Sequence, residues 1–170
     1  PEAINVLENL SKLKKRFVLM SNAPRPSKNV EKFLLKLKMN KKFCKNIFTS
    51  GEAALKSLKI NSYGKNFYHL GPARDCSLFQ GFEKNKKNIE NAEFILCTGF
   101  LDEHEDSLEY YKSFLKKYIK LKMVCTNPDL VVHRGKKQEY CAGTLAEIFK
   151  KLGGKVIYFG KPYPEIYNFC

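Results

Sequence analysis

The sequence predicts an α/β protein built on a parallel sheet, and three observations carry that prediction. Short, continuous apolar runs alternate with stretches whose apolar residues recur at helical spacing. The runs end abruptly in polar or proline-containing loops, as at Ser21, Asn22, Ala23 and Pro24. The 170 residues are 44% hydrophobic and 13% aromatic, enough for one ordinary core and too much for a disordered chain.

Pro1 and Glu2 suit a first helical turn, and Ile4, Leu7, Leu10 and Leu13 continue at helical spacing, so a helix is expected to end near residue 15. Phe17 to Met20 reads as a strand covered on both faces, because its apolar residues do not alternate with polar ones. Pro26 and Ser27 open a second helix with Val30, Phe33, Leu34 and Leu37 on its apolar face. A strand from Asn46 to Thr49 and a helix from about Glu52 to Leu58 follow. Alternation of this kind favours crossover helices on a parallel sheet, whose ligands bind beyond the carboxyl ends of the strands.

The texture changes near residue 60, where Ser62, Gly64 and Asn66 make a loop, and a domain boundary is expected there. Asn66–Leu70, Ala92–Cys97 and Lys122–Thr126 read as strands, and Leu108, Tyr111, Phe114, Leu115 and Tyr118 as a helical face. The polar stretch Asp102 to Asp106 is expected to open that helix, since acidic residues favour helix N-termini. Asn127 and Pro128 stop the third strand, and a polar loop leads to a helix from Ala142 to Leu152, closed by Gly153 and Gly154. Lys155 to Phe159 forms a last strand, and the residues before Cys170 look like the opening of another helix.

Thirty-one basic against 17 acidic residues give a formal charge of +14, which raises a nucleic-acid partner as a possibility. Only Arg16, Arg25, Arg74 and Arg134 are arginines, however, and the lysines are spread along helix exteriors instead of forming an aromatic-flanked stripe. The charge therefore reads as a solvated face that attracts anionic substrates. Six scattered cysteines without a C-x-x-C pair point to buried thiols in a reducing cytoplasm, not to a disulfide framework or zinc site. No apolar run reaches the roughly 18 to 20 residues of a membrane span, and no signal-peptide pattern opens the chain, so a cytoplasmic protein is expected.

Three strand ends hold candidate chemistry. Ser21 and Asn22 present a hydroxyl and backbone N–H groups just before a helix, geometry suited to a phosphate oxyanion, although such residues also cap ordinary turns. Lys161, between Gly160 and Pro162, follows the last strand and would project at the same sheet edge, where an ammonium can neutralise a transferring phosphoryl group. In a lysine-rich chain a plain surface lysine is the alternative reading. Asn127 and Asp129 close another strand, where substrate orientation and an Asx turn are about equally matched. His69, His104 and His133 lack metal-ligand spacing, no metal-binding set is assigned, and Cys141 reads as a packed thiol at a helix start.

In order, VLMSNAPRP from Val18, FTSGEA from Phe48, CTNPDL from Cys125, YCAGTL from Tyr140 and YFGKPYPEIY from Tyr158 resemble the class IIA phosphatases of the haloacid dehalogenase (HAD) superfamily. The resemblance runs over nearly the whole chain. It implies a partial Rossmann-like parallel-sheet core (residues 1–59 and 156–170) interrupted by a large α/β cap domain (residues 60–155) that selects substrates. It makes Ser21, with Asn22, the phosphate-binding group, Lys161 the catalytic lysine, and Asn127 and Asp129 part of a substrate-facing cap loop. It further implies a magnesium (Mg2+)-dependent hydrolysis of small phosphate monoesters through an aspartyl-phosphate intermediate.

Relative to that family pattern, the nucleophilic aspartate and the acidic magnesium-binding motif would lie before Pro1 and after Cys170. The expectation is a fragment that is inactive alone, with a small phosphorylated metabolite as partner of the complete protein. The competing reading is a noncatalytic nucleotide- or RNA-binding domain with a basic surface. A dinucleotide-cofactor fold is disfavoured because no G-x-G-x-x-G follows the first strand.

Overall fold

The computed structural model describes residues 2–104 and 107–170. Pro1, and with it the start of the expected first helix, lies outside the described residues, as do Glu105 and Asp106 of the polar stretch before Leu108. The first part of the chain folds as α1 (Glu2–Lys12), β1 (Leu19–Ser21), α2 (Ser27–Lys36), β2 (Ile47–Thr49) and α3 (Ser50–Lys59). β1 and β2 pair in parallel, Leu19 opposite Ile47 and Ser21 opposite Thr49.

A second sheet holds β3 (Phe67–Leu70), β4 (Phe94–Cys97), β5 (Lys122–Cys125) and β8 (Lys155–Tyr158) in that spatial order, every pair parallel. Helices α4 (Leu108–Lys116) and α5 (Ala142–Lys151) supply crossovers, and α6 (Pro164–Phe169) follows β8. The fold is therefore α/β with parallel sheets, in keeping with the alternation of apolar runs and helical faces. The domain limit expected between residues 155 and 156 runs through β8, a single strand hydrogen-bonded to β5 along its length.

Continuous apolar runs appear in β4 and β5 because both faces of that sheet are covered. Ile95, Cys97, Met123 and Cys125 point to one side, against Tyr111, Leu115, Leu145 and Phe149 of α4 and α5. Phe94, Leu96 and Val124 point to the other, against Ala53, Ala54 and Leu58 of α3 and against Leu78 and Phe79. Full burial of side chains of this size stabilises by about 1.5 to 3 kcal/mol each. The first part of the chain is thus welded by α3 to the second sheet.

Three elements differ from expectation. β1 is only half-buried and Val18 is 45% exposed, since among the described residues β2 is its sole partner strand. α2 carries the apolar periodicity of a core helix yet buries no residue, with Phe33 and Leu37 each 60% exposed. The polar stretch before α5 is not a loop but an antiparallel hairpin, β6 (Val131–Arg134) and β7 (Lys137–Tyr140), turning at Gly135 with φ +62°. The high polarity of its second strand hid the alternation from sequence reading. The six cysteines form no disulfide, and burial pushes the Cys125 thiol up to about 12 and Cys97 well above its usual value.

Candidate functional site

Three of the parallel strands, β1, β5 and β8, end in loops that meet. β1 ends at Ser21 and leads into a turn at Asn22 and Ala23; β5 ends just before Asn127; β8 ends just before Gly160 and Lys161. Asn22, 8% exposed, is the hub of this junction. Its Oδ1 accepts the main-chain N–H of Lys161 at 2.7 Å. Its Nδ2 donates to the Lys161 carbonyl at 3.0 Å and to Asp129 Oδ1 at 2.9 Å. The reversed amide would set an oxygen against two acceptors and an NH2 against an N–H, so the chemistry of the neighbours fixes its orientation.

Lys161 in turn reaches back with its ammonium, Nζ donating to the Met20 carbonyl at 3.2 Å, one residue before Ser21. The five residues singled out in the sequence are therefore gathered at one place, though they act differently. Ser21 Oγ accepts the Ala23 N–H at 3.2 Å, a local turn bond that leaves its own O–H proton to donate. Asn127 Oδ1 accepts the Asp129 N–H at 3.1 Å, which is the Asx turn considered as the alternative, while the Asp129 side chain makes the long-range contact.

Residues without an assigned role at the sequence level build the platform under this turn. Thr49 caps α3 by accepting from Glu52 N at 3.2 Å. Ser50, fully buried, has its hydroxyl between the carbonyls of Ala23 and Thr126, joining the ends of β1 and β5. A Cβ on Gly51 would lie 2.6 Å from the Pro24 carbonyl carbon, so only glycine lets the turn come this close, and Gly51 N donates to Ala23 O at 3.2 Å. Glu52 accepts from both Ser27 N at 2.9 Å and Ser27 Oγ at 2.8 Å, capping α2 from a neighbouring helix. The phrase from Phe48 to Ala53 was visible as a motif, but its job depends on tertiary contact and could not be read from spacing.

Gly160 has the same function on the other side. Its φ is +121°, and a Cβ there would stand 2.6 Å from Pro128 Cδ and 2.8 Å from Asn22 Oδ1. Cys141 lies at the N-cap of α5 and is buried. Among the described residues no group of three or more His, Cys, Asp or Glu side chains is placed to hold a metal ion. No helix among them is long and apolar enough to cross a membrane.

Residues 1–83 match the family model described as haloacid dehalogenase-like hydrolase. Among solved structures, a hydrolase of the haloacid dehalogenase-like family from Brucella suis 1330 is similar to this chain with a TM-score of 0.89 and 28% identity, over 98% of this chain and 62% of that one. A p-nitrophenyl phosphatase from Archaeoglobus fulgidus is similar with a TM-score of 0.72 and 16% identity, over 99% of this chain and 65% of that one. A 4-nitrophenylphosphatase from Thermotoga maritima gives 0.70 and 22%, over 99% and 64%. The chain thus spans less than two thirds of the length of each of these three relatives. No curated protein matches it. Over residues 1–83 the sequence is similar to the haloacid dehalogenase-like hydrolases, and over 98% of the chain the fold is similar to that of a hydrolase of that family.

Proposed function

We propose that the protein containing this chain hydrolyses small phosphate monoesters of the cytoplasm, with the ends of β1, β5 and β8 as its phosphate-handling edge. One observation carries the reading: the buried Asn22 amide clasps the main chain of Lys161 and so holds a fixed ammonium beside Ser21. In this reading the Ser21 hydroxyl and the N–H groups of its turn donate to phosphoryl oxygens. Lys161 neutralises the charge that gathers on the phosphoryl group during transfer. The loop at Asn127 and Asp129, on the unit that would admit substrate, orients the leaving group. The haloacid dehalogenase-like family match and the nitrophenyl phosphatases of Archaeoglobus fulgidus and Thermotoga maritima support this chemistry.

The residues present do not fit a magnesium site: among those described, Asp129 is the sole carboxylate in the junction, and its Oδ1 is committed to Asn22. No step is routed here through the ion. An attacking carboxylate and magnesium ligands, and with them an aspartyl-phosphate intermediate, would come from other parts of a longer hydrolase. The share of the Brucella suis structure that this chain covers is in keeping with that division. The isolated chain is then expected to turn over little substrate.

The test is p-nitrophenyl phosphate hydrolysis by the full-length protein and its Lys161→Ala variant. The variant should lose roughly 10²- to 10³-fold in kcat, the scale of removing one preorganised charge-stabilising group. An unchanged kcat sinks the assigned role.

A further inference from the structure

Arg25 follows Asn22 by three residues, and its Nε stands 2.8 Å from Asp75 Oδ1. Asp75 belongs to a 3-10 helix, Ala73–Phe79, that comes directly after β3 on the four-stranded sheet. Its side chain is only 3% exposed, against 35% for Arg25. The two groups form an ion pair whose carboxylate side is almost wholly withdrawn from solvent. Burial raises the proton affinity of Asp75, and Arg25 and Arg74 draw it back down.

A buried carboxylate of this kind is costly unless partnered, and breaking the pair would leave a charge stranded. Over apolar residues of equal size such a pair adds little net stability; what it does supply is a fixed relative position. Its surroundings are built around it. Asp75 also bonds Thr98, whose Oγ1 lies 2.9 Å from His69 Nε2, and a Cβ on Gly71 would stand 2.0 Å from that same Oγ1. A second tie runs parallel to the first, Asn29 Nδ2 of α2 donating to Ser77 Oγ at 3.2 Å. Two side chains from the segment that follows the Ser21–Asn22 turn are thus anchored to one short helix of the other sheet.

We propose that Asp75 is a positioning residue that, through Arg25, sets where the Ser21–Asn22 turn stands against Lys161. Its chemical consequence rests on the phosphatase reading, but its geometric content does not. Two measurements separate the two. The first is amide hydrogen exchange in the 170-residue chain, comparing wild type, Asp75→Asn, Arg25→Met and the double variant. Asp75→Asn keeps the shape of the side chain and its link to Thr98, so folding should survive.

The Lys161 N–H, which is bonded to Asn22 Oδ1, should exchange about tenfold faster in each single variant and by the same factor, not more, in the double, while amides of β4 and β5 keep their protection. Unchanged exchange at Lys161 overturns the proposal whatever the activity. The second measurement is p-nitrophenyl phosphate hydrolysis by the full-length protein. There kcat should fall about tenfold in Asp75→Asn and Arg25→Met, with KM moving less and Arg25→Lys recovering part of the loss. Faster exchange with an unchanged kcat would uphold the geometric claim and overturn its consequence for catalysis. A wild-type protein without phosphatase activity would defeat the function proposed above, and the exchange result would still decide this one.

Discussion

Gly160 and Asn22 are in such close contact that a single added methyl group on the glycine would come to 2.8 Å from the asparagine's Oδ1. That oxygen is the acceptor that holds the Lys161 N–H. Gly160→Ala should therefore cost about 2 to 3 kcal/mol, combining a left-handed backbone with overpacking against Pro128. Denaturant unfolding of the variant chain checks it; a midpoint within error of wild type would show that the loop simply shifts.

Asn22→Asp replaces an NH2 that donates to two acceptors with an oxygen facing the same two acceptors, one of them the Asp129 carboxylate. The variant should be destabilised by about 1 to 3 kcal/mol at neutral pH, with recovery as acidification protonates the new carboxyl group. Unfolding curves at pH 7 and pH 5 make the comparison, and equal losses at both would count against this account.

Gly51→Ala should be felt in the phosphate-side turn although it lies in α3. Its Cβ would be 2.6 Å from the Pro24 carbonyl carbon and 2.9 Å from Arg25 N, both main-chain atoms that cannot swing aside. A loss of about 1 to 3 kcal/mol is expected, whereas alanine in an open helix position would add stability. Thermal unfolding distinguishes the two signs.

Stability should also fall on mild acidification. Burial, assisted by nearby Lys86, lowers the His69 pKa from 6.5 to about 4. The unfolded chain therefore takes up a proton at His69 that the folded chain refuses between those two values. The penalty is absent above the unfolded value, grows as pH drops through 6.5 and is complete near 4, amounting to roughly 3 kcal/mol. Asp75, whose pKa is raised by burial, works in the opposite direction in the acid range. A His69→Gln variant should show a flatter dependence of unfolding free energy on pH across this window; an identical slope would exclude His69 as its source.

Exposed apolar side chains on the first part of the chain predict poor solubility in isolation. Leu13 is 67% exposed, and Phe33 of α2 and Leu37 at its C-cap are 60% each. Beside them, β1 and β2 have no other partner strand among the described residues. The isolated chain should self-associate at micromolar concentration, and replacing Phe33 and Leu37 by lysine should reduce it. Size-exclusion chromatography that finds the unaltered chain monomeric would contradict this.

These outcomes also show which parts of the molecule could be read from residues alone. Strands such as Phe94–Cys97 were legible because burial on both faces imposes an unbroken apolar run. The three strand-end loops were legible because Ser21, Asn127 and Lys161 each follow such a run directly or within two residues. The exposure of Phe33 was not, since helical spacing states which face is apolar and not what covers it. Nor were Glu52 as a cap for α2, Ser50 between two strand ends, or Asp75 against Arg25. Each joins residues 25 or more positions apart, and no local pattern records such a meeting.

The hairpin of β6 and β7 pairs only with itself among the described strands, and its two ends are sewn together at the base. There the Leu130 carbonyl accepts both Cys141 N–H at 2.8 Å and Thr144 Oγ1–H at 2.7 Å, one residue beyond Asp129. Whatever happens past that seam is mechanically insulated from the loop carrying Asp129. The tip around Gly135 can accordingly be lengthened, shortened or exchanged as a cassette while the distances among Asn22, Asp129 and Lys161 stay as they are.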